Sequence, residues 1–259
     1  MSIVFITGSA DGLGQMAARR LVDEGHEVVL HARNPRRARE AADAVPGAAG
    51  VLTADLSSIA ETRGLAEAAN ERGRFDAVIH NAGIGYREPR RVETVDGLSH
   101  LFAINVLAPY LLTALMTRPA RLVYLSSGMH GGGDPSVDDL QWRVRRWSGA
   151  QAYSDSKLFD LVLAMAVARR WPDVLANAVE PGWVPTKMGG AGAPDDLDRG
   201  DETQAWLAVS DDAGARVSGR YFYHLAERGY SPDADDPAVQ DALLNACAQL
   251  TGAALPEED

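Results

Sequence analysis

The stretch IVFITGSADGLG, residues 3–14, decides the fold of this 259-residue chain. Its first part is a β-branched and aromatic run that glycines follow at once, and such a run predicts a buried strand rather than a helix. The apolar residues that come next, up to Glu24, recur at helical spacing and end at Gly25, a helix stop signal. The chain therefore begins with a strand, a glycine-rich turn and a helix.

The turn of this unit predicts a cofactor site. Glycines there let backbone N–H groups approach a pyrophosphate at the helix N-terminus. A flavin or S-adenosylmethionine protein can use a similar turn, but the strand–turn–helix context favours a dinucleotide. The spacing is G-x3-G-x-G rather than the commoner G-x-G-x-x-G. The candidate cofactor contacts of the turn are Gly8, Ser9, Asp11, Gly12, Leu13 and Gly14.

Strand-like and helix-like stretches alternate along the rest of the chain. The strand-like stretches are EVVLHA, AAGVLTADL, FDAVIHNAG, ARLVYLSSG, VLANAVEPG and SGRYFYH, and two long helices are predicted near 95–116 and 150–171. Such alternation requires crossover connections. We therefore predict one α/β domain over residues 1–253, with a doubly wound, mostly parallel sheet of about seven strands and helices on both faces. The acidic residues 254–259 are predicted to be a disordered tail.

Composition excludes several classes of protein. The net charge of −11 argues against a general nucleic-acid binder. Cys247 is the single cysteine, and the six histidines are scattered, so no metal site is expected. The N-terminus has no basic region or signal-length apolar core, and no stretch reaches 18 uncharged apolar residues. We expect no membrane span and a reducing cytoplasm as the setting.

The end of the second strand predicts which dinucleotide binds. An acidic residue there would bond the ribose hydroxyls of NAD, but this chain has Arg33, whose planar guanidinium suits a 2′-phosphate. Arg36 and Arg37 are interpreted as the solvated start of a helix. NADP(H) is therefore predicted over NAD(H), although Asp11 stands where many NADP-binding turns carry a basic residue.

The stretch AYSDSK, residues 152–157, puts Tyr153 and Lys157 on one face of the helix predicted at 150–171. A pair at that spacing occurs by chance in many helices. The rest of the chain decides whether it is more than a surface contact.

With its motifs taken together, the sequence resembles the short-chain dehydrogenase/reductase family over nearly its whole length. TGSADGLG looks like the cofactor turn of that family, ADL like its adenine-contacting element, and NAG like the motif that closes the fourth strand. INVLAPYLLT, LSSG, YSDSK and PGWVPT come next, in the order of the family. The resemblance implies a Rossmann-type domain.

The resemblance also implies roles for individual residues. The implied catalytic residues are Asn105, Ser127, Tyr153 and Lys157. The implied cofactor contacts, besides the glycine turn and Arg33, are Asp55, Leu56, Asn81, Ala82, Gly83, Tyr153, Lys157, Pro181, Gly182, Val184 and Thr186. Three simpler interpretations stay open: Asn105 as a helix cap or kink, Asp55 as an ordinary strand-end residue, and Trp183 as a packing residue.

The residues of the implied site suggest a mechanism. A free tyrosine ionises near pH ~10, and a lysine ammonium one helical turn away favours the phenolate. Tyr153 then exchanges a proton with the carbonyl or alcohol oxygen, while Ser127 bonds the same oxygen. By analogy with the family, Lys157 would also bond the nicotinamide ribose, and Asn105 would hold a water that connects Lys157 to solvent. Ser126 is interpreted as a structural residue that bonds the backbone.

The chain departs from the family pattern between its serine and tyrosine. Ser127 and Tyr153 are 26 positions apart (153 − 127), about twice the usual spacing. This long segment, residues 128–152, is similar to that of the retinol-dehydrogenase-like and carbonyl-reductase-like branches, which act on hydrophobic or bulky carbonyls. A flexible lid is predicted at about 187–203, where small residues lack apolar periodicity. The resemblance implies a homodimer or homotetramer through the two long helices, or a monomer where the long segment covers them.

The predicted function is an NADP(H)-dependent oxidoreductase that transfers hydride between nicotinamide and a small-molecule carbonyl or alcohol. Two alternatives are kept: a catalytically silent NAD(P)-binding regulatory protein, and a sugar-nucleotide epimerase or dehydratase. Silent proteins usually lose the tyrosine or the lysine. Epimerases usually have longer chains and glycines spaced G-x-x-G-x-x-G.

Overall fold

The structure, a computed structural model, describes residues 1–257 and contains one eight-stranded sheet. The strand order is β3-β2-β1-β4-β5-β6-β7-β8, and all neighbouring pairs are parallel except β7 with β8. The strands are β1 Ile3–Ile6, β2 Glu27–Ala32, β3 Gly50–Thr53, β4 Ala77–His80, β5 Arg121–Leu125, β6 Leu175–Val179, β7 Tyr221–Tyr223 and β8 Ala226–Glu227. The predicted doubly wound α/β fold is confirmed. The eighth strand is a two-residue hairpin partner of β7, too short to predict from periodicity.

Helices cover both faces of the sheet. They are α1 Gly12–Asp23, α2 Pro35–Ala44, α3 Ile59–Glu71, α4 His100–Phe102, α5 Ala108–Leu115, α6 Gly149–Arg170, α7 Glu202–Val209 and α8 Pro237–Thr251. The apolar sides of α1, α2 and α7 pack into one core, while α3, α5, α6 and α8 pack into the core on the opposite face. The strands β1, β2, β4, β5 and β6 are therefore buried on both sides, as their continuous apolar runs require.

The predicted helix at 95–116 differs from the structure at its start and in its middle. Residues before His100 form a turn held by the isolated bridge between Glu93 and Ser99. Between α4 and α5 the chain makes a π-helical turn, Ala103–Leu107. Such wide turns are often found at functional sites. This one contains Asn105.

Helices α7 and α8 were not predicted from the sequence. The start of α8 carries a recognisable signal, because Asp236 accepts a hydrogen bond from the Ala238 amide and Pro237 occupies the first helical position. The helix α7 lacks a side-chain N-cap and comes after a glycine-rich stretch, which hides its start in the sequence.

The described part of the C-terminal tail is packed against the domain. Leu255 is buried in the core, and the backbone oxygen of Pro256 accepts a hydrogen bond of 2.9 Å from the Trp171 indole. The predicted disorder is therefore wrong for residues 254–257, because this segment buries an apolar side chain. Residues 258 and 259 lie outside the described part of the chain.

Within residues 1–257, no helix is long and apolar enough to cross a membrane. Over the same residues, no cluster of three or more His, Cys, Asp or Glu side chains could hold a metal ion.

Candidate active site

The predicted motifs meet at the carboxyl edge of the sheet. The glycine turn comes directly after β1, Arg33 after β2, and Asn81 after β4. Ser127 and Pro181 come just after β5 and β6. The strand order reverses between β2 and β4 around β1, and ligands of open parallel sheets bind in the crevice at such a switch point.

Two glycines of the turn are required by close contacts. Gly8 has φ +65°, and a Cβ there would lie 2.7 Å from the Ala82 Cα. A Cβ on Gly14 would lie 2.3 Å from the Asn81 amide nitrogen. The turn is therefore packed directly on the NAG motif, and Asp11 caps α1 by accepting a hydrogen bond from the Gly12 amide. Backbone N–H groups at this helix start suit a pyrophosphate.

His31 supports the glycine turn through hydrogen bonds. No sequence motif indicated this role. Its Nδ1 accepts a hydrogen bond of 2.9 Å from the Gly8 amide, and its Nε2 lies 3.0 Å from the Ala54 carbonyl oxygen. This pairing requires the neutral ring with the proton on Nε2. Burial lowers the pKa of His31 to about 4, so the ring stays neutral near pH 7.

Ser9 points into the protein rather than toward a ligand. Its hydroxyl donates to the Ile6 carbonyl oxygen at 2.8 Å and accepts from the His31 amide at 2.9 Å. The side chain therefore supports the turn. A cofactor contact by this residue can come only from its backbone.

The arginines after β2 are arranged differently from the interpretation of the sequence. Arg33 is exposed and lines an open cavity of about 390 Å³ with Asp55. Arg37, which the sequence placed at the solvated start of a helix, instead donates to the Ala10 carbonyl oxygen and to the Asp11 carboxylate, each at 3.1 Å. That interpretation of Arg37 is wrong, because the first turn of α2 lies close enough to the glycine turn for this side chain to bond it. Arg36 pairs with Glu40 and has no contact with the turn.

The residues after β3 have structural roles beside the cavity. The Asp55 carboxylate accepts hydrogen bonds from the Ser57 amide at 3.0 Å and from the Ser57 hydroxyl at 2.7 Å. Leu56 is 7% exposed and belongs to the core. The open interpretation of Asp55 as a strand-end residue therefore gains support, while its position on the cavity wall is compatible with an adenine contact.

The NAG motif ties β4 to the glycine turn. The Asn81 amide group donates to the carbonyl oxygens of Thr7 and Gly8 at 3.0 and 3.2 Å. The Ala82 amide donates to the Thr7 hydroxyl at 3.0 Å. Gly83 leaves space for two polar groups, because a Cβ there would lie 3.5 Å from both the Lys157 Nζ and the Asn105 Oδ1.

Asn105 links the π-helical turn to both neighbouring segments. Its Oδ1 accepts from the Ile84 amide at 2.8 Å, and its Nδ2 donates to the Ile84 carbonyl oxygen and the Ser156 hydroxyl. The side chain is fully buried. It therefore joins the end of β4 to α6 one residue before Lys157.

The two serines after β5 have different hydrogen-bond partners. The Ser126 hydroxyl donates to the Lys157 carbonyl oxygen at 2.6 Å and is buried. The Ser127 hydroxyl oxygen accepts from the Met129 amide at 3.2 Å, and its own proton can be donated to a ligand. His130 donates from Nδ1 to the Ser127 carbonyl oxygen at 2.7 Å, and its Nε2 accepts from the Ser231 amide. His130 was not predicted as a site residue.

Tyr153 and Lys157 lie together in a largely buried pocket. The Lys157 Nζ is 5.7 Å from the centre of the Tyr153 ring. The ring packs edge-on against Tyr86 at 5.7 Å, and the phenol approaches the Met188 sulfur at 3.9 Å. Tyr153 belongs to an apolar and aromatic cluster with Leu101, Trp142 and Ala152, and Ile84, Tyr86, Trp147 and Met188 pack against this cluster.

Lys157 has a charged neighbour, Asp160, that was not predicted from the sequence. Its Nζ donates to the Leu125 carbonyl oxygen and to the Asp160 carboxylate, each at 2.7 Å. Burial works to lower the pKa of Lys157, but the Asp160 carboxylate and the Tyr153 phenolate form outweigh it, and the net shift is upward. Burial, which outweighs the Lys157 charge, raises the pKa of Asp160 to about 7.

The segment after β6 passes over the site and closes onto the glycine turn. Val184 is buried, and a Cβ on Gly200 would touch both Val184 and Leu13. Lys187 forms an ion pair with Asp11, 176 positions away in the sequence. That hydrogen bond is the largest of the effects that lower the pKa of Asp11.

The remaining predicted contacts of this segment shape its loop. Gly182 has φ +86°, in the left-handed region that glycine tolerates. The Thr186 hydroxyl accepts from the Gly189 amide at 3.2 Å. Trp183 is 56% exposed, and its indole donates to the Gly189 carbonyl oxygen at 3.0 Å. Pro181 precedes this loop at the end of β6.

The long 128–152 segment folds against the protein rather than away from it. It begins with a 3-10 turn at Gly128–Gly132. Arg145 then pairs with Asp134, Asp139 and Asp155, and its guanidinium lies 4.0 Å from the Trp142 ring centre. One arginine thus joins two carboxylates of the segment to a carboxylate of α6.

Similar proteins cover the whole chain. An uncharacterised oxidoreductase of Emericella nidulans is 48% identical over 257 residues, with 98% of each chain covered. The short-chain dehydrogenase chry4 of Gibberella zeae is 43% identical and covers 99% of each chain. Retinol dehydrogenase 13 of Homo sapiens is 30% identical over 98% of this chain and 85% of its own.

Solved structures agree with these relatives. An uncharacterised protein of Mycobacterium paratuberculosis is 30% identical, with a TM-score of 0.85 over 99% of this chain and 95% of that chain. A blue fluorescent protein from a metagenomic library, solved with NADPH, is 23% identical, with a TM-score of 0.69 over 85% of this chain and 94% of its own, and shows the shared fold alone.

The family model described as short chain dehydrogenase matches residues 2–129, from the first strand to just beyond Ser127. The relatives extend the match over the second half, which holds Tyr153 and Lys157. The predicted family and enzyme class are confirmed. The chain belongs to the short-chain dehydrogenase/reductase family and is a nicotinamide-dependent oxidoreductase that acts on CH–OH or C=O groups.

Proposed function

We propose that the protein is an NADP(H)-dependent oxidoreductase that interconverts a carbonyl compound and its alcohol, with Tyr153 as the general acid and base. The observation that carries the proposal is the buried Lys157 ammonium 5.7 Å from the centre of the Tyr153 ring, beside Gly83 of the NAG motif that packs on the glycine turn. A cationic group beside a phenol favours the phenolate and makes proton exchange possible near neutral pH.

The residues present fit a nicotinamide dinucleotide. The glycine turn leaves no room for Cβ atoms at Gly8 and Gly14, and the start of α1 presents its backbone amides at the same place. Pro181, Val184 and Thr186 lie after β6, where they would hold the nicotinamide end. When bound, the cofactor supplies or accepts the hydride.

The side chains of the protein handle the proton and the orientation. Tyr153 donates its phenolic proton to the carbonyl oxygen during reduction and recovers it from the alcohol during oxidation. Ser127 donates a hydrogen bond to the same oxygen, because its own oxygen already accepts from Met129. Asn105 holds α6 in register with the end of β4 through Ser156.

Two arginines support the preference for NADP(H). Arg33 is exposed on the wall of the cavity where the adenosine half would lie. Arg37 reaches the glycine turn, with its charge partly balanced by Asp11. A 2′-phosphate between them would gain charge-assisted hydrogen bonds from Arg33 and compete with Asp11 for Arg37.

The substrate is proposed to be an apolar or aromatic carbonyl or alcohol. The Tyr86 ring and the Met188 sulfur lie against Tyr153, so a substrate that reaches the phenol must displace Met188 and replace its contact with apolar surface of its own. Burying apolar area contributes about 25 cal/mol per Å², which favours such a substrate over a small polar one.

Tyr153→Phe tests the chemistry. We expect kcat/KM with a panel of aldehydes, ketones and secondary alcohols to fall by about 10²–10⁴-fold, with NADPH affinity nearly unchanged. Tyr110→Phe is the matched control, because Tyr110 is a buried tyrosine whose hydroxyl bonds the Ala253 carbonyl oxygen. Near-normal rates in Tyr153→Phe would contradict the mechanism. A wild type that binds cofactor but turns over nothing would favour the silent regulatory alternative.

Arg33→Ala tests the cofactor. Loss of charge-assisted hydrogen bonds to a phosphate should weaken NADPH binding by about 10- to 100-fold and change NADH binding by less than about twofold. Arg36→Ala is the control, because that neighbouring side chain pairs with Glu40 instead. Equal losses for both cofactors in Arg33→Ala would exclude a 2′-phosphate role.

A further inference from the structure

The contact between Lys157 and Asp160 adds a charged group to the proton-transfer pair, and its interpretation rests on the proposed function. The two side chains are three positions apart on α6, and the Nζ–Oδ2 distance is 2.7 Å. Lys157 is 4% exposed and Asp160 is 2% exposed. Neither charge has water to stabilise it, so each depends on the other.

The geometry fixes the direction of the Lys157 ammonium. One N–H bond points to the Leu125 carbonyl oxygen at the end of β5, and another points to Asp160. The ammonium has three donors, so one remains for the cofactor ribose beside Gly83. Asp160 therefore affects both the position of the Lys157 ammonium and the electrostatic effect of that ammonium on the pocket.

The groups that face this pair from other elements do not change charge near neutral pH. The Tyr124 phenol on β5 bonds the Thr113 hydroxyl, and burial raises its pKa above the ordinary value. Next along this buried row, the His80 Nε2 lies 3.1 Å from the same hydroxyl, and burial lowers the pKa of His80 to about 3. Asn105, which faces Lys157 from the π-helical turn, is neutral.

Tyr153 itself has other polar neighbours. The Tyr221 phenol bonds the Glu180 carboxylate at 2.7 Å, and Glu180 also pairs with Arg228. Burial first, and then the Glu180 carboxylate, raise the pKa of Tyr221 above its ordinary value. The remaining aromatic neighbour, Tyr86, contacts Tyr153 through the edge of its ring. Asp160 is thus the carboxylate in direct contact with the catalytic lysine.

We propose that Asp160 is a positioning residue for Lys157 and that its carboxylate offsets part of the lysine charge that acts on the Tyr153 phenol. Above the Asp160 pKa of about 7, where this carboxylate is ionised, the two unlike charges 2.7 Å apart act at a distance as a dipole rather than as a bare cation. The pair therefore favours the phenolate less than an isolated Lys157 ammonium would. Asp160 sets how alkaline the medium must be before Tyr153 serves as a base.

The charges determine the direction of the effect. Asp160→Asn keeps a hydrogen-bond acceptor for Lys157 but removes the negative charge, so the full ammonium charge acts on the phenol. The Tyr153 phenolate should then form at a lower pH, by about one unit. In the same variant, the pH below which alcohol oxidation slows should also fall. At a pH below the wild-type value, oxidation should be about tenfold faster than in wild type. A merely structural role would lower the rate equally at every pH.

The first measurement does not require turnover. NMR of ¹³C-tyrosine-labelled protein, with Tyr153→Phe to identify the signal, gives the titration midpoint of the phenol in wild type and in Asp160→Asn. Asp155→Asn is the matched control, because Asp155 is buried on the same helix but pairs with Arg145. We expect a downward shift of about one unit in Asp160→Asn and none in Asp155→Asn. An unchanged or raised midpoint in Asp160→Asn would overturn the proposal.

A stability cycle tests the pairing itself. Lys157→Met leaves Asp160 buried without a counter-charge. When the pH is raised from 5.5 to 8.5, the melting temperature of this variant should therefore fall by about 5 °C more than that of wild type. The double variant with Asp160→Asn should lose this additional fall. Parallel pH dependence of the single and double variants would overturn the pairing.

These outcomes stay separate from those of the proposed function. A wild type that binds NADPH but turns over no carbonyl or alcohol would contradict the proposed function, while the phenol titration and the stability cycle would still decide the role of Asp160. If Asp160→Asn alone does not fold but the double variant does, the carboxylate is needed only while the Lys157 charge is present, which supports the pairing. Asp160→Ser, which keeps a hydroxyl near Lys157, then serves for the titration.

Discussion

At the scale of single residues, buried polar side chains connect segments that are far apart in the sequence. His31 joins the glycine turn to the ends of β2 and β3, and Asn105 joins β4 to α6. His130 does the same between Ser127 and Ser231. Each uses both of its polar atoms, because a buried polar atom without a partner costs about 1–3 kcal/mol.

His31 predicts loss of stability in acid. Its folded-state pKa of about 4 lies below the ordinary value of 6.5, so the unfolded chain binds the proton more readily. The stabilisation by the neutral ring is fully present above pH ~6.5 and is lost as the pH falls toward 4, by about 3 kcal/mol at most. Urea unfolding at pH 7 and pH 4.5 should show it.

The control for this prediction replaces the histidine. His31→Gln should be less stable than wild type at pH 7 but lose less on acidification, because the glutamine side chain does not titrate. His80 lowers acid stability in the same direction, so part of the loss should remain. His224→Gln, at the turn between β7 and β8, should behave like wild type. Identical acid slopes in His31→Gln and wild type would exclude this role.

At the scale of elements, two segments contribute to the apolar cluster that contains Tyr153. The 128–152 segment contributes Trp142 and Trp147, and the segment after β6 contributes Met188. Neither has a regular helix or strand in its middle. Their positions come from side-chain contacts, which makes these contacts the natural targets for mutation.

Arg145 should control the order of the 128–152 segment. Arg145→Ala removes three carboxylate contacts and leaves the buried Asp155 without its cation, so we expect destabilisation of about 2–4 kcal/mol and faster hydrogen exchange across 134–147. Arg143→Ala is the control, because Arg143 is exposed and bonds the Gly97 carbonyl oxygen. Unaltered exchange in Arg145→Ala would show that apolar packing alone holds the segment.

Lys187 should have a smaller effect. Its side chain is 82% exposed, and an exposed ion pair is worth about 0–1 kcal/mol. Lys187→Ala should therefore speed NADPH release by no more than about fivefold in stopped-flow fluorescence. Asp11→Asn should act in the same direction, and the effect should weaken at high salt. An increase of a hundredfold would mean that Lys187 contacts the cofactor directly. The lid predicted at 187–203 stays a prediction until such rates are known.

At the scale of the whole molecule, the chain covers the helices that the family resemblance implies as an oligomer surface. Every residue of α6 from Ala152 to Val167 is buried within the single chain. The helix α8 packs on α5 and α6, and Leu140 of the 128–152 segment enters the same core. A stable interface needs about 800 Å² from each partner, and residues 152–167 of α6 can add almost nothing to it because they are already buried.

We therefore expect a monomer of 27.7 kDa in sedimentation experiments at micromolar concentration. A dimer that persists on dilution would have to use another surface. The informative variant is Leu255→Asp, which puts a charge where the tail packs. This variant should be less stable than wild type but sediment with the same mass. A different sedimenting mass would show that the tail region takes part in an interface between copies of the chain.

Much of the fold and the site could be predicted because their signals are local. A short apolar strand with glycines directly after it, or Tyr153 and Lys157 one helical turn apart, depends on neighbouring residues alone. The carboxyl ends of parallel strands lie at one edge of the sheet, so the predicted strands also imply that the motifs after them lie close together. The two-residue β8, the late start at His100 and the packed tail escaped because tertiary contacts form them.

The sequence by itself determined the family and the doubly wound sheet, and it predicted Tyr153 and Lys157 as the reacting pair, because these depend on spacing along the chain. Only the tertiary structure decided that Arg37 reaches the glycine turn, that Met188 contacts the phenol and that residues 152–167 of α6 are buried. Even the contact between Lys157 and Asp160, three positions apart, depended on burial. Water would screen such a pair on an exposed helix, and the sheet and the surrounding helices exclude that water here.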